Sequence, residues 1–485
     1  MSAQSLSHGA RVHSALRVLA ALTATALLAG CATFSPDGGM DGVRDIAGAS
    51  LRKDVVALRT EDESAAAHAA VERLLKRRLT ADAAVQIALL NNRDLQAAYN
   101  ALGLSEAARV QASLPPNPTL SLTHVAGGGA FEIERQVALN ILALATLPAR
   151  SEIAAGRFRQ AQLKAAGETL RVAAETRRAY YRAVAAREIA GFLGQSLSAA
   201  QAAAQLSRRL GESGAINKLD QARNQVFYAE LAGQLGTARQ RAASERERLI
   251  RQMGLWGADL DFRIPASLPA LPSRPRNVAT VEVEAVRRRV DLQIARIEVD
   301  TLAKSYGLTD ATRFVSLLEV SGISKTVREP GGDRANEFGG GVDLQIPIFD
   351  FGQVRMREAE QTYMQAVNRL AAKAVSVRSE AREAYQTYRA AYDIAGHYQR
   401  EVLPLRKIIS DETLLRHNAM QIDVFALLTE ARQRIASTAA AVEARRDFWL
   451  AETNMRAAVI GGGAAAPDGE PMPAVTAAGE TAERH

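Results

Sequence analysis

Residues 339–357 read GGGVDLQIPIFDFGQVRMR, and two periodicities meet inside them. Val342, Leu344, Ile346 and Ile348 alternate with Asp343, Gln345 and Pro347. Period two predicts a strand with one apolar and one polar face. From Tyr363 the apolar residues change step: Val367, Leu370, Ala374, Val377, Ala381, Ala384, Tyr388 and Ala391 follow at intervals of four and three. That is a heptad seam, and it predicts one helix over 354–416, about 95 Å long at ~1.5 Å per residue. A strand wet on one face that runs into a coiled-coil helix is the pattern from which the rest of the chain is read.

The pattern occurs twice. Val137, Leu139 and Ile141 alternate with Ala138 and Asn140 about 205 residues before the strand above, and Glu175, Arg177, Ala179 and Tyr180 return as Glu380, Arg382, Ala384 and Tyr385. Asp94-Leu95-Gln96 returns as Asp291-Leu292-Gln293, and the stretch Gly214–Asn217 stands opposite Met420–Asp423. The chain therefore reads as two copies of a helix-strand-strand-helix-helix unit. In the first copy the long helix covers about 150–210, with a seam through Phe158, Ala165, Val172, Ala179 and Ala186. Returning helices are expected over 217–253 and 423–459. Partner strands are expected near 119–125 and 312–320, with Gly127-Gly128-Gly129 and SKTVREPGGDRAN (324–336) as loops.

Of the residues, 47% are hydrophobic but only 5% aromatic, a balance that suits long, closely packed alanine-rich helices. Apart from the leader no apolar run approaches the ~20 residues of a transmembrane helix, so a membrane would have to be crossed by strands. Four strands cannot close a useful pore, so several chains must share one barrel. The fold class expected is an α+β membrane protein. The net charge of +7 is spread in short clusters along helices, which argues for solvated faces and against nucleic acid.

The one cysteine is Cys31, in TALLAGCATF (25–34). Arg11 and Arg17 precede an apolar run from Val18 to Ala29, the layout of an export signal. Leu28-Ala29-Gly30-Cys31 is similar to the lipobox of bacterial lipoproteins, which implies cleavage before Cys31 and a covalent lipid on its thiol. Two or three acyl chains at about 0.8 kcal/mol per buried methylene would anchor the chain firmly. Ala32 and Thr33 lack the aspartate associated with inner-membrane retention. No phosphate loop, HExxH or GxSxG motif occurs, and the seven histidines show no ligand spacing, so neither an enzyme nor a metal site is expected. No cofactor is expected beyond the lipid.

SLPPNPTLSL (113–122) and QIPIFDFGQVRMR (345–357) resemble the two strand–helix boundary motifs of TolC-family outer membrane efflux proteins. The resemblance covers about residues 80–460, including the duplication. It implies a homotrimer whose twelve strands form an outer membrane barrel, continued by a twelve-helix tunnel into the periplasm. With the signal peptide at 1–30 it implies a lipidated and equatorial segment at 31–79, repeats at 80–254 and 277–460 and an equatorial linker at 255–276, and by composition the tail at 461–485 is expected to be disordered. The role implied is the passive exit duct of a Gram-negative tripartite efflux system, docked on a periplasmic adaptor and an inner-membrane pump. Heavy metals or drugs are the substrates implied. A duct for polypeptides and a coiled-coil lipoprotein without a pore are the alternatives. By position in the family motif, Asn217, Lys218, Arg416 and Asp423 would form the periplasmic gate. Gly214, Ala215, Met420 and Gln421 would form the adaptor-docking tip, and Asp343 and Gln345 would face the lumen. Lys218 stands where the family has an acid, and Ala426 where it often has one, so a mixed ring with Lys218 near Asp423 is expected.

Overall fold

A computed structural model of the chain describes residues 33–276, 280–461 and 463. Cys31, the signal segment and, apart from residues 461 and 463, the C-terminal tail lie outside the described residues. The chain forms two compact units, each built from both sequence repeats.

The first unit takes in residues up to Ser64, Arg93–Ala166 and Val286–Ser379. Its centre is a four-stranded antiparallel sheet in the order β1 (Thr119–Gly127), β2 (Ala130–Asn140), β3 (Leu317–Arg328), β4 (Arg334–Gln345). β2 and β3 come from different repeats, so their pairing joins the duplication and leaves β1 and β4 as edges. The β1–β2 connection is two residues, Gly128 and Gly129, both at positive φ (60° and 82°), the conformation a tight hairpin needs and glycine supplies without strain. Pro115, Pro116 and Pro118 separate α1 (Arg93–Ser113) from β1. At the other boundary β4 stops before Pro347, and the Asp350 carboxylate accepts from the Gly352 (3.1 Å) and Val354 (3.3 Å) N–H groups to open the next helix. Gly352 sits at φ 75°, and a Cβ there would collide with the carbonyl of Arg313.

Three expectations are corrected here. The strand expected near 312–320 is β3 at 317–328, because α2 (Val290–Ala311) holds the chain helical until Thr312 caps it. Residues 324–336 are not one loop: both ends extend the strands, and only 329–333 turns. The helix expected over 354–416 is three pieces, α3 (Gln353–His397), a π-helical turn at Tyr398–Val402, and α4 (Leu403–Asn418). Pro404 has no N–H to offer the preceding turn and its ring crowds that carbonyl, so the backbone widens there.

The N-terminal residues of this unit lie on its helices. The Glu106 carboxylate accepts from the Ser35 N–H at 2.6 Å, and the Gln96 amide brackets Val56 and Leu58.

The second unit takes in Ala65–Asn92, Gly167–Ala285 and residues from Glu380. It holds two helical hairpins. One is the end of α5 (Leu147–Glu212) with α6 (Lys218–Met253); the other is α4 with α7 (Val424–Ile460). The heptad seams are the buried stripes. In this unit Val172, Ala179 and Ala186 are buried along α5, and Ala381 and Tyr388 along α3, where the residues on either side are exposed or half-buried. Tyr388, Tyr392, Phe448 and Met455 form one core cluster, and Leu193, Phe227, Leu231, Leu235 and Leu428 another. The proline-rich linker 255–276 is an extended strap across these helices. Its Pro269 carbonyl accepts from Trp449 Nε1 (3.2 Å), its Pro272 carbonyl from the Tyr392 hydroxyl (3.1 Å), and its Leu268 N–H donates to Glu188 (2.7 Å).

Candidate functional site

The register of the sheet sorts its side chains into two unlike faces, since directly opposed residues of an antiparallel pair point the same way. Leu120 pairs with Val137, Leu139 with Val320, Val320 with Val342, and Leu318 with Leu344. These share one face. Asp343 pairs with Glu319, Glu134 with Lys325, and Gln345 lies on the same side as Asp343. These share the other. Asp343 and Gln345 therefore stand together on a polar face, as their alternation predicts, and Leu344 stands on the apolar one. Ile346 is exposed but lies past the end of β4.

The polar face holds five carboxylates (Glu132, Glu134, Glu319, Glu337, Asp343) against one amine, Lys325, which pairs with Glu132 at 2.8 Å. Sequence reasoning found only one of these acids. The alternation of Glu132, Glu134 and Gln136 in FEIERQV would have revealed two more had the strand been extended upstream of Val137.

The apolar face is open to its surroundings: Leu120 is 75% exposed and Val342 68%. Its apolar rows run from Leu344 to Phe338, six residues or about 20 Å along the strand. Aromatic side chains flank them. Phe131 and Phe338 lie toward the turns, and Phe314, Phe349 and Phe351 lie exposed where the strands meet the helices. An apolar band of about 25 Å between aromatic girdles is what a bilayer requires of a barrel wall.

The second group of singled-out residues lies at the hairpin turns of the second unit. The two turns are built alike. Gly214 N–H donates to Gly211 O (3.1 Å) and Ala215 N–H to Leu210 O (2.8 Å); Met420 N–H donates to His417 O (2.9 Å) and Gln421 N–H to Arg416 O (2.9 Å). Each closes a helix through a left-handed residue. In the first turn this is Gly214 at φ 74°, in the second Met420 at φ 58°, where a side chain is strained, and Met420 is 94% exposed. An isoleucine follows in both, then a helix cap: Asn217 Oδ1 accepts from Asp220 N–H (2.8 Å), and Asp423 Oδ1 accepts from Ala426 N–H (2.9 Å).

Of the four residues expected at a gate, Asn217 and Asp423 are thus N-caps. Arg416 pairs along its own helix with Glu412 at 2.8 Å, and Lys218 is exposed. Among the described residues Lys218 and Asp423 form no pair within the chain. What joins the two turns is Arg223, missed in the sequence. It pairs with Asp220 at 3.2 Å and lies over the Phe425 ring at 5.2 Å from its centroid. Further along, Arg432 bridges to Glu230 (2.8 Å) and over Phe227. No signal in the sequence announces such pairs, which lie about 200 residues apart.

Residues 282–409 match the family model of outer membrane efflux proteins. Among solved structures, the chain is similar to CusC, reported to undergo conformational change on transmembrane channel formation, with a TM-score of 0.65 at 14% identity over 79% of this chain and 92% of that one. The outer-membrane channel OprN gives 0.62 at 18% identity over 90% and 97%, and the CmeC outer membrane channel of Campylobacter jejuni 0.63 at 14% identity over 81% and 86%. No curated protein matches the sequence.

Proposed function

We propose, from the premise that residues 282–409 are an outer membrane efflux protein domain and that the chain has the TolC-like fold of the efflux channels, that it is the exit duct of a tripartite efflux system in a Gram-negative outer membrane. The chain is a passive conduit and not an enzyme. Three copies would close twelve strands into one barrel, continued by twelve helices, with each β4 edge meeting a neighbour's β1.

The observation that carries this reading is the two-faced sheet: a bare apolar face between aromatic girdles, a polar face opposite, and two unpaired edges. A coiled-coil scaffold without a pore has no use for such a sheet. The exposed apolar residues Leu405, Ile408 and Leu415 of α4 supply a surface that neighbouring copies would cover.

The carboxylates of the polar face would line the lumen, where five acids to one amine favour cationic over anionic solutes. The turns with Gly214, Ala215, Met420 and Gln421 would meet the periplasmic adaptor, with Asn217, Lys218, Arg416 and Asp423 near the closing point. Strain held at Met420, which is 94% exposed, supports a contact role there. Cys31, acylated, would add a lipid anchor. The test is reconstitution of the purified protein in a planar bilayer under a salt gradient. Stepwise conductance with a cation-selective reversal potential is expected; no conductance from a confirmed trimer would refute the duct.

A further inference from the structure

The apolar face does not stay apolar to its end. From the row of Phe338 toward the turns, the same face carries Arg135, level with Phe338, and then Arg328 and Arg334. Arg328 and Arg334 are direct cross-strand partners, and like charges so placed, about 5 Å apart at Cβ, repel. Arg334 rests over the Phe131 ring, its guanidinium 5.6 Å from the centroid. Arg135 begins about 13 Å lower, four residues along the strand from the row of Arg328. It is level with Phe338 and donates to Thr326 Oγ1 at 3.2 Å, one row nearer the turns, so its charge is lifted from apolar depth toward the rim. The 329–333 turn offers Glu329 and Asp333, yet none of the three guanidinium groups forms an ion pair among the described residues. The acids of this sheet are otherwise on the opposite face.

Three unneutralised guanidinium groups therefore stand on the turn side of a lipid-facing band, Arg135 in its last row and reaching upward, Arg328 and Arg334 above it and opposed in a way that an anion between them would relieve. Guanidinium groups bind phosphate oxygens through paired hydrogen bonds, and a charge near a membrane surface contributes about 1 kcal/mol to binding an anionic headgroup. Resting on the duct reading, which turns this rim to the cell exterior, we propose that Arg135, Arg328 and Arg334 hold the phosphate groups of the phosphorylated glucosamine glycolipid (lipid A) of the outer leaflet. Two separated arginine levels suit a headgroup that carries two phosphates.

The experiment is native mass spectrometry of detergent-solubilised trimers titrated with lipid A, with its dephosphorylated form, and with inorganic phosphate as competitor. Wild type is expected to retain lipid A and to lose it with the phosphates removed, while millimolar inorganic phosphate does not displace it. Arg135→Gln should weaken retention about fivefold and the triple Gln variant on the order of a hundredfold, from the ~1 kcal/mol per charge above. Lysine at all three positions should keep most of it. Equal retention by the triple Gln variant, or of the dephosphorylated lipid, overturns the proposal; displacement by inorganic phosphate overturns the lipid source and leaves a free anion site. Should the triple Gln variant not assemble, Arg135→Gln and the lysine variant carry the same comparison. Conductance of the same preparations separates the two readings. The lipid site alone fails if channels conduct and binding is unchanged, and the duct itself fails if wild type does not conduct.

Discussion

Removing the carboxylate of Asp423 separates two roles that this side chain can play at the proposed closing point, and the structure sets what each is worth. Asp423 Oδ1 accepts from the Ala426 N–H at 2.9 Å and caps a 37-residue helix. Loss of such a cap costs about 1 kcal/mol, within ~0.5–2. At that value opening of the first turn of α7 becomes about fivefold more frequent in each copy, and three copies acting together would lose ~3 kcal/mol. The charge itself, at a helix N-terminus with no other acid in its first turn, contributes only about 0.3–1 kcal/mol, and salt screens it. Asp423→Ala removes both contributions, whereas Asp423→Asn keeps an oxygen acceptor and removes the charge. Hydrogen exchange of residues 423–428, followed by mass spectrometry on the purified protein, is expected to rise several-fold in Asp423→Ala and to change little in Asp423→Asn. Single-channel openings should follow the same order and persist at high salt. If Asp423→Asn matches Asp423→Ala, or if the Ala effect vanishes at high salt, the carboxylate acts as a charge in a ring with Lys218 and the capping argument is wrong.

Three further expectations follow from other parts of the molecule. Single cysteines at Asp343 and Gln345 should react with a small water-soluble thiol reagent in membranes while those at Val342 and Leu344 stay protected; equal labelling of all four would mean the register is shifted by one. Labelled palmitate should enter the wild-type protein and not Cys31→Ser, and a mature chain that begins upstream of residue 31 would exclude the anchor. Burial pushes the Tyr180 and Tyr181 phenols up to about 12, from an ordinary value of 10.0. Folding thus holds their neutral forms, a stabilisation that is complete below pH 10 and lost as pH rises toward 12. In an alkaline titration these two phenolates should form only as pH approaches 12, and Tyr181→Phe should flatten the loss of stability between those limits; ionisation of both near pH 10 would show that they are open to water.

What could be read from the chain alone depended on how local the cause was. The returning helices, expected over 217–253 and 423–459, are found at 218–253 and 424–460, because Asn217 and Asp423 cap them and the chain itself carries that signal. The heptad seam of α3 predicted which face would be buried, since 3.5-residue spacing is a property of the sequence. The strands were underestimated because on a wall wet on one side the polar residues are part of the pattern. Glu132 and Glu134 fall outside the apolar alternation that starts at Val137, and are placed on the strand only by their partners Val327 and Lys325. The π-helical turn ahead of Pro404 was missed because the heptad runs out before it. The Arg223 contact with Phe425 was out of reach altogether, since only folding brings the two turns together.

The two bare edges of the sheet have a genetic consequence. If three copies close the proposed ring, every seam is a β4 of one copy against a β1 of the next, so a chain that ends before Arg334 would still offer a β1 and would leave its other neighbour nothing to pair with. Such a chain would poison the ring it joins. If half the chains in a cell are of this kind and mix freely, only about one ring in eight is whole. A truncated allele expressed beside the intact one should therefore be dominant, and its dominance should disappear when β1 is deleted from the same truncated chain.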